Sequence, residues 1–179
     1  MLLSIKEMEV RKLPFAVVLP PGIIDFSGSG VTQSADLLAE GSAELFAHTG
    51  GEIRVTGKLQ TQVNFDCDRC LGPALLNLDV PFDLFYKPAA AVLSAKEPEV
   101  AIDEGEAEMG FYELPGLELE DILREQVLFA LPMQRLCQPD CRGICPVCGG
   151  NRNETPCLCE SHPFNESWAA LKDLNIGTK

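Results

Sequence analysis

Six of the chain's eight cysteines lie between residues 137 and 159, in CQPDCRGICPVCGGNRNETPCLC, and the other two form CDRC at 67–70. Thiols grouped this closely clamp a metal, cycle as a redox dithiol, close disulfides or serve as a nucleophile. The sharpest element is CPVCGG. A tight turn points the sulfurs of Cys145 and Cys148 the same way, so both can ligate one Zn²⁺. Gly149 permits the turn and lets backbone N–H groups approach the sulfurs, which offsets the negative charge of a tetrathiolate. Four cysteines make a closed tetrahedral site, which is structural rather than catalytic chemistry.

Three ligand sets satisfy the spacing. The compact one joins Cys145 and Cys148 to Cys157 and Cys159 across the loop GGNRNETP, at the cost of a tight Cys-x-Cys bite. A rival takes Cys137 and Cys141 as the second pair. A third arrangement has two sites, the second built from Cys67, Cys70, Cys137 and Cys141. One zinc is therefore expected, and eight cysteines permit two. CDRC alone is weak: it reads as a metal half-site, a dithiol couple, or two thiols packed at a strand end. A thioredoxin-type couple needs its first cysteine at a helix N-terminus, whereas CLGPALLNLDV reads as turn and strand. Arg69, between these cysteines, faces solvent or contacts phosphate.

Other chemistry is thin. His48 and His162 have no motif around them and read as surface or packing residues, with His162 close enough to Cys159 to stand in as a ligand. The sequence holds no GxSxG, HExxH, P-loop or GxGxxG pattern. No base can be nominated for a cysteine nucleophile, so a non-enzyme is expected.

The bulk properties agree. With 179 residues, 46% hydrophobic and 23% charged, the chain can bury a core without disulfides. No apolar run is long enough to cross a membrane, and the N-terminus lacks the apolar stretch of a signal peptide. A cytoplasmic protein is expected, in a compartment that favours metal ligation over disulfides. The net charge of −13 argues against general affinity for phosphate backbones. Eleven acids against two bases fall between Lys96 and Glu125. This segment reads as a solvated loop and polar helix face, or as a docking surface for a basic partner.

Around the cysteines the pattern is α+β, mainly an antiparallel β meander or partial barrel with one amphipathic helix. Residues 5–20 read as an extended entry strand ending at Pro20-Pro21, followed by a short strand and a Gly-Ser turn in IIDFSGSGVTQ. A further strand is expected at about 40–48, with a turn at TGG. EIRVTGKLQTQVNFDC alternates with period two, and Gly57 suggests a bulge or bend. CLGPALLNLDVPFDLFYKP reads as a turn and a strand pair broken or edged by Pro81. A polar loop fills 88–110. Residues 117–131 form the best helix, with Leu117, Leu119, Ile122, Leu123, Val127, Leu128 and Leu131 on one face and Pro132 as the stop. Glu118, Glu120 and Asp121 suit its first turn. The expected division is a β-rich domain, 1–132, and a cysteine-rich zinc module, 133–179, closed by a short helix in FNESWAALKDLN.

CDRCL after an alternating strand, then LEDILREQVLFALPMQRLC, CRGICPVCGGNRNETPCLC and WAALKDL, resembles the YceD family over about residues 45 to 179. The matching positions are Cys67, Arg69, Cys70, Cys137, Cys141, Gly143, Cys145, Pro146, Cys148, Gly149, Asn151, Asn153, Cys157 and Cys159. Ile144 stands where the family often has Leu, and Arg152 where it has an aliphatic residue. The resemblance implies a link to accumulation of the 23S ribosomal RNA precursor. It also implies gene neighbourhood with a small zinc-ribbon protein of the large subunit, hence a role in large-subunit biogenesis. It carries over no catalytic residue. The partner is then a ribosomal protein or pre-rRNA of the large subunit, and no small-molecule substrate or membrane is evident. The module lacks a basic stripe or stacking platform for RNA, and the acidic 96–125 segment suits a basic ribosomal protein. The competing readings are a zinc-dependent interaction module unrelated to ribosomes and a thiol-disulfide redox protein.

Overall fold

The computed structural model describes residues 1–46, 48–90 and 109–159. The strands are β1 (Leu2–Ser4), β2 (Leu13–Leu19), β3 (Val31–Gln33), β4 (Leu37–Phe46), β5 (Glu52–Asp66), β6 (Pro73–Pro88), β7 (Gly110–Tyr112) and β8 (Gly116–Glu118). The helices are α1 (Ile5–Met8) and α2 (Leu119–Phe129). β1 and β8 form an antiparallel pair. The main sheet runs β2-β4-β5-β6-β7, with β3 beside β5 in line with β4. All its pairings are antiparallel except β6 with β7. The β4-β5-β6 meander is thus as expected. Among the described residues the sheet is open, with β2 and β7 at its ends, and no barrel closes.

Period-two burial builds the core. Ile53, Val55, Leu59, Val63 and Phe65 of β5 point to one side and are buried, while Lys58, Gln60 and Asn64 are exposed. Leu78, Phe82 and Tyr86 of β6 join the same face. α2 covers it with Leu119, Ile122, Leu123 and Val127, a stripe at helical spacing. Helix and sheet thus enclose one hydrophobic layer.

Several expectations are corrected. The entry strand of 5–20 divides: Ile5–Met8 coil into one helical turn that buries Met8, and β2 begins at Leu13. The Ile5/Met8 spacing of three puts both apolar groups on one side of that turn. In the IIDFSGSGVTQ stretch only Val31–Gln33 is strand. Ile24 and Phe26 are buried from an irregular loop. The expected strand pair of 71–88 is the single strand β6, and Pro81 sits in register opposite Lys58. Because β7 covers only Tyr86–Pro88, β6 is an edge over most of its length among the described residues, where a missing N–H is tolerated.

Gly57 is not a bulge. The register runs Phe15–Gly41–Gly57–Phe82 straight across four strands. A Cβ on Gly41 would run into the Thr56 carbonyl oxygen and lie 2.7 Å from the Phe15 ring, and one on Gly57 would lie 2.6 Å from the Glu40 carbonyl oxygen and 2.7 Å from the Phe82 ring. The glycines make room for close approach of the paired backbones and for aromatic rings to lie across the sheet.

The helix is shorter than 117–131. Leu117 belongs to β8, and Glu118 is the helix N-cap, leaving Glu120 and Asp121 in the first turn. The described acids of the 96–125 segment are exposed apart from the half-buried Glu120. Most of the 88–110 loop, His162 and the 164–175 closing helix lie outside the described residues, and so does the rest of the acidic segment.

Candidate metal centres

The eight cysteines gather into two clusters. The sulfurs of Cys67, Cys70, Cys137 and Cys141 all lie within 4.8 Å of one another, and so do those of Cys145, Cys148, Cys157 and Cys159. The spatial arrangement is the third of those the spacing allowed. Cys137 and Cys141 reach back to CDRC, so this cluster takes two cysteines from each side of residue 132.

Both clusters rest on the same backbone turn. In CDRCLG the Cys67 N–H donates to the Gly72 carbonyl at 2.9 Å and the Leu71 N–H to the Cys67 carbonyl at 2.8 Å. In CPVCGG the Cys145 N–H donates to the Gly150 carbonyl at 2.8 Å and the Gly149 N–H to the Cys145 carbonyl at 2.9 Å. The residue after each second cysteine is left-handed, Leu71 at φ 57° and Gly149 at φ 71°. The strands explain why CDRC is a turn: Asp66 and Pro73 are the last pair of the β5-β6 ladder, so 67–72 closes that hairpin.

The first cluster is the more buried. Cys67, Cys70 and Cys141 are enclosed and Leu136 packs on them, while Cys137 is exposed. The Cys67 and Cys141 sulfurs are 3.7 Å apart, as are those of Cys70 and Cys137. A disulfide would need about 2.05 Å. A tetrahedron with metal–sulfur bonds of about 2.3 Å has edges of about 3.8 Å. All eight cysteines are free thiols.

Backbone donors charge selected thiols. Burial alone would raise the Cys67 pKa, but N–H groups of Cys137, Cys70 and Arg69 outweigh it and bring it down to about 6. Cys145 is likewise lowered to about 6, chiefly by the N–H groups of Cys148 and Val147. N–H groups two and three residues on thus help to lower the first cysteine of each turn, joined at Cys67 by the N–H of Cys137. Cys141 is lowered chiefly by the Asn153 side chain, which donates Nδ2–H to its sulfur at 3.2 Å. Although Cys137 is exposed as a residue, desolvation of its sulfur among the other three and the neighbouring thiols themselves push it up to about 12, and Cys159 is pushed to about 12 by the thiols beside it, Cys148 first. Four sulfurs crowded together cannot all ionise without a cation among them. A soft divalent ion is the group this donor set fits.

The remaining contacts tie these turns together. The Ile144 N–H donates to the Arg69 carbonyl at 3.0 Å, and the Arg69 guanidinium to the Cys141 carbonyl at 3.2 Å. Arg69 thus links the turns. Arg135 joins the same region to the sheet. Its N–H donates to Asp68 at 2.7 Å, and its guanidinium to the carbonyls of Ser29 and Gly30 at 3.3 and 3.2 Å. The roles of Leu71, Arg135 and Asn153 were not evident from the sequence reading. The signal within reach was the shared pattern Cys-x-x-Cys-x-Gly in CDRCLG and CPVCGG.

Elsewhere, a groove of about 910 Å³ between the 22–30 loop and the ends of β3 and β5 contains no cysteine, histidine or lysine in its lining. No helix among the described residues is long and apolar enough to cross a membrane.

Comparison with known sequences places these cysteines in context. Residues 55–175 match the profile of the family described as Large ribosomal RNA subunit accumulation protein YceD. Uncharacterised proteins of Mycobacterium bovis and Mycobacterium tuberculosis are 32% identical over 130 residues, covering 68% of this chain and 55% of theirs. A maize protein named Large ribosomal RNA subunit accumulation protein YCED homolog 1, chloroplastic, is 24% identical over 135 residues, 62% of this chain and 45% of its own length. The chain spans about half the length of these curated relatives. No solved structure matches. Because the family profile covers more than half of the chain and encloses all eight cysteines, the chain belongs to the YceD family.

Proposed function

We propose that this chain is a non-enzymatic zinc protein of the cytoplasm that acts in large-subunit biogenesis, sustaining the accumulation of 23S ribosomal RNA. The metal assignment rests on one observation. Two copies of one cysteine turn each face a second cysteine pair, and the two sulfur separations of 3.7 Å in the first cluster match the edges of a tetrathiolate tetrahedron. Cys67, Cys70, Cys137 and Cys141 would hold one zinc, and Cys145, Cys148, Cys157 and Cys159 a second. Bound zinc would supply a cross-link and no reaction step. The chain's own contribution is positional. The β5-β6 hairpin presents one turn, and Arg69 and Arg135 seat the cysteine-rich segment against it.

The family match supports the ribosomal assignment. Among partners, a basic large-subunit protein is favoured over bare pre-rRNA. Residues 133–159 contain no aromatic side chain for base stacking, while Val147 and Leu158 expose apolar surface near the second cluster. The acidic chain complements a basic protein. The redox reading is weaker because CDRC closes a hairpin and no helix begins at Cys67.

Affinity capture of the tagged chain from cells at moderate salt tests the proposal. Large-subunit proteins are expected, with rRNA recovered only while those proteins remain bound. Recovery of rRNA after their removal would instead make RNA the direct partner. A zinc-loaded chain whose partners all lie outside ribosome assembly would favour the interaction-module reading. Turnover in a thiol-disulfide exchange assay would restore the redox reading.

A further inference from the structure

We propose that the two cysteine clusters load with metal as a coupled pair, and that Asn153 is the residue that couples them. The inference builds on the two-zinc reading above and adds a dependence between the sites.

Asn153 lies in the loop between Cys148 and Cys157, which the second cluster closes, yet its side chain serves the first. Its Nδ2–H donates to the Cys141 sulfur at 3.2 Å, and its Oδ1 accepts the Arg142 N–H at 2.8 Å. Asn153 thereby grips both the sulfur of one ligand and the backbone that follows it. Its own position is held by Asn151, whose Oδ1 accepts both the Asn153 N–H and its Nδ2–H at 3.0 Å. Asn151 is held in turn by Glu154, which accepts its Nδ2–H at 2.8 Å. The same loop is anchored by the Arg152 N–H on the Gly143 carbonyl at 2.9 Å. Gly143 lies against the Arg69 carbonyl in the first turn, where a Cβ would stand 3.0 Å from that oxygen.

Metal in the second cluster shapes the loop that presents Asn153. An ordered Asn153 supplies a ready N–H donor to the first cluster, and N–H···S bonds from outside the ligand set orient the thiolate and offset the charge of a tetrathiolate. Metal in the first cluster would reciprocally hold Cys141 where Asn153 meets it, since coupling between sites acts equally in both directions. Asn153 is a positioning residue: it contacts a ligand, not the metal.

Titration of the metal-free full chain with Cd²⁺, followed by native mass spectrometry, counts the species at each step. Two equal independent sites leave about half of the chains with one metal at half loading. The coupled pair leaves far fewer. Asn153→Asp keeps the shape and the acceptor for Arg142 but loses the donor. With it, and with Asn153→Ala, the one-metal species accumulates and the first cluster weakens about 10- to 100-fold. Through-bond coupling between ¹¹³Cd and the Asn153 side-chain amide proton reports the N–H···S contact in the loaded protein. It is expected in the wild type and absent in both variants. A wild type that takes two metals independently, or variants that load as it does, overturns the coupling and leaves the two-site reading intact. A folded wild type that never takes a second metal overturns both.

Discussion

The two cysteine clusters share a turn and differ in everything around it. The first joins a hairpin tip at 67–70 to Cys137 and Cys141, nearly seventy residues on, and encloses three of its four thiols. The second takes all its cysteines from 145–159 and leaves Cys148 and Cys159 exposed and Cys157 half-buried. One local motif thus serves two ends. A loop closed across a long stretch of chain organises the fold, whereas a loop closed within fifteen residues organises only itself. The first cluster is a clasp between sheet and cysteine-rich segment. The second is a local brace, coupled to the clasp through Asn153.

Substitution at the buried centre of the clasp tests that distinction most strongly. Cys67→Ser is expected to remove one metal, free the 133–159 segment from the β5-β6 hairpin and lower the melting temperature by roughly 10 °C. Hydrogen exchange should show lost protection at both 67–72 and 137–145. Cys148→Ser is expected to remove one metal with a smaller effect, lowering the melting temperature by about 3 °C and leaving β5 and β6 protected. Equal losses from the two variants would erase the difference between clasp and brace.

A finer contrast lies within the shared turn. Gly149 meets the left-handed backbone with no Cβ, whereas Leu71 does so with an exposed side chain at φ 57°. Gly149→Ala is expected to cost roughly 1 kcal/mol in urea unfolding of the metal-loaded chain. Leu71→Gly is expected to stabilise by less than about 1 kcal/mol, since relief of strain is partly offset by greater freedom in the unfolded chain. A marked destabilisation by Leu71→Gly would mean that the two turns are not equivalent.

What could be read from the sequence follows from range. Alternation in 52–66 marked β5, because each side chain reports its own face, and the apolar spacing from Leu119 to Val127 marked α2. CPVCGG declared its turn through Gly149. The turn after CDRC was also read, but its likeness to that of CPVCGG was concealed, because a leucine occupies the left-handed position where glycine is the usual signal. The unbroken β6 was hidden by Pro81, which is admissible because, among the described residues, most of β6 is an edge, a property of the assembled sheet. Gly57 was misread for a similar reason: it makes room for the Glu40 carbonyl and the Phe82 ring on the strands either side. The choice among three cysteine pairings needed the hairpin that brings residue 67 to residue 141, and no local pattern encodes it.

The most direct test of the account is the metal content of the purified, folded chain, measured by elemental analysis and by native mass spectrometry. Two tetrathiolate sites predict two zinc ions per chain, both lost together with the fold of the 133–159 segment when a strong chelator is added. A folded chain carrying one zinc or none, with its 133–159 segment unchanged by the chelator, would contradict it.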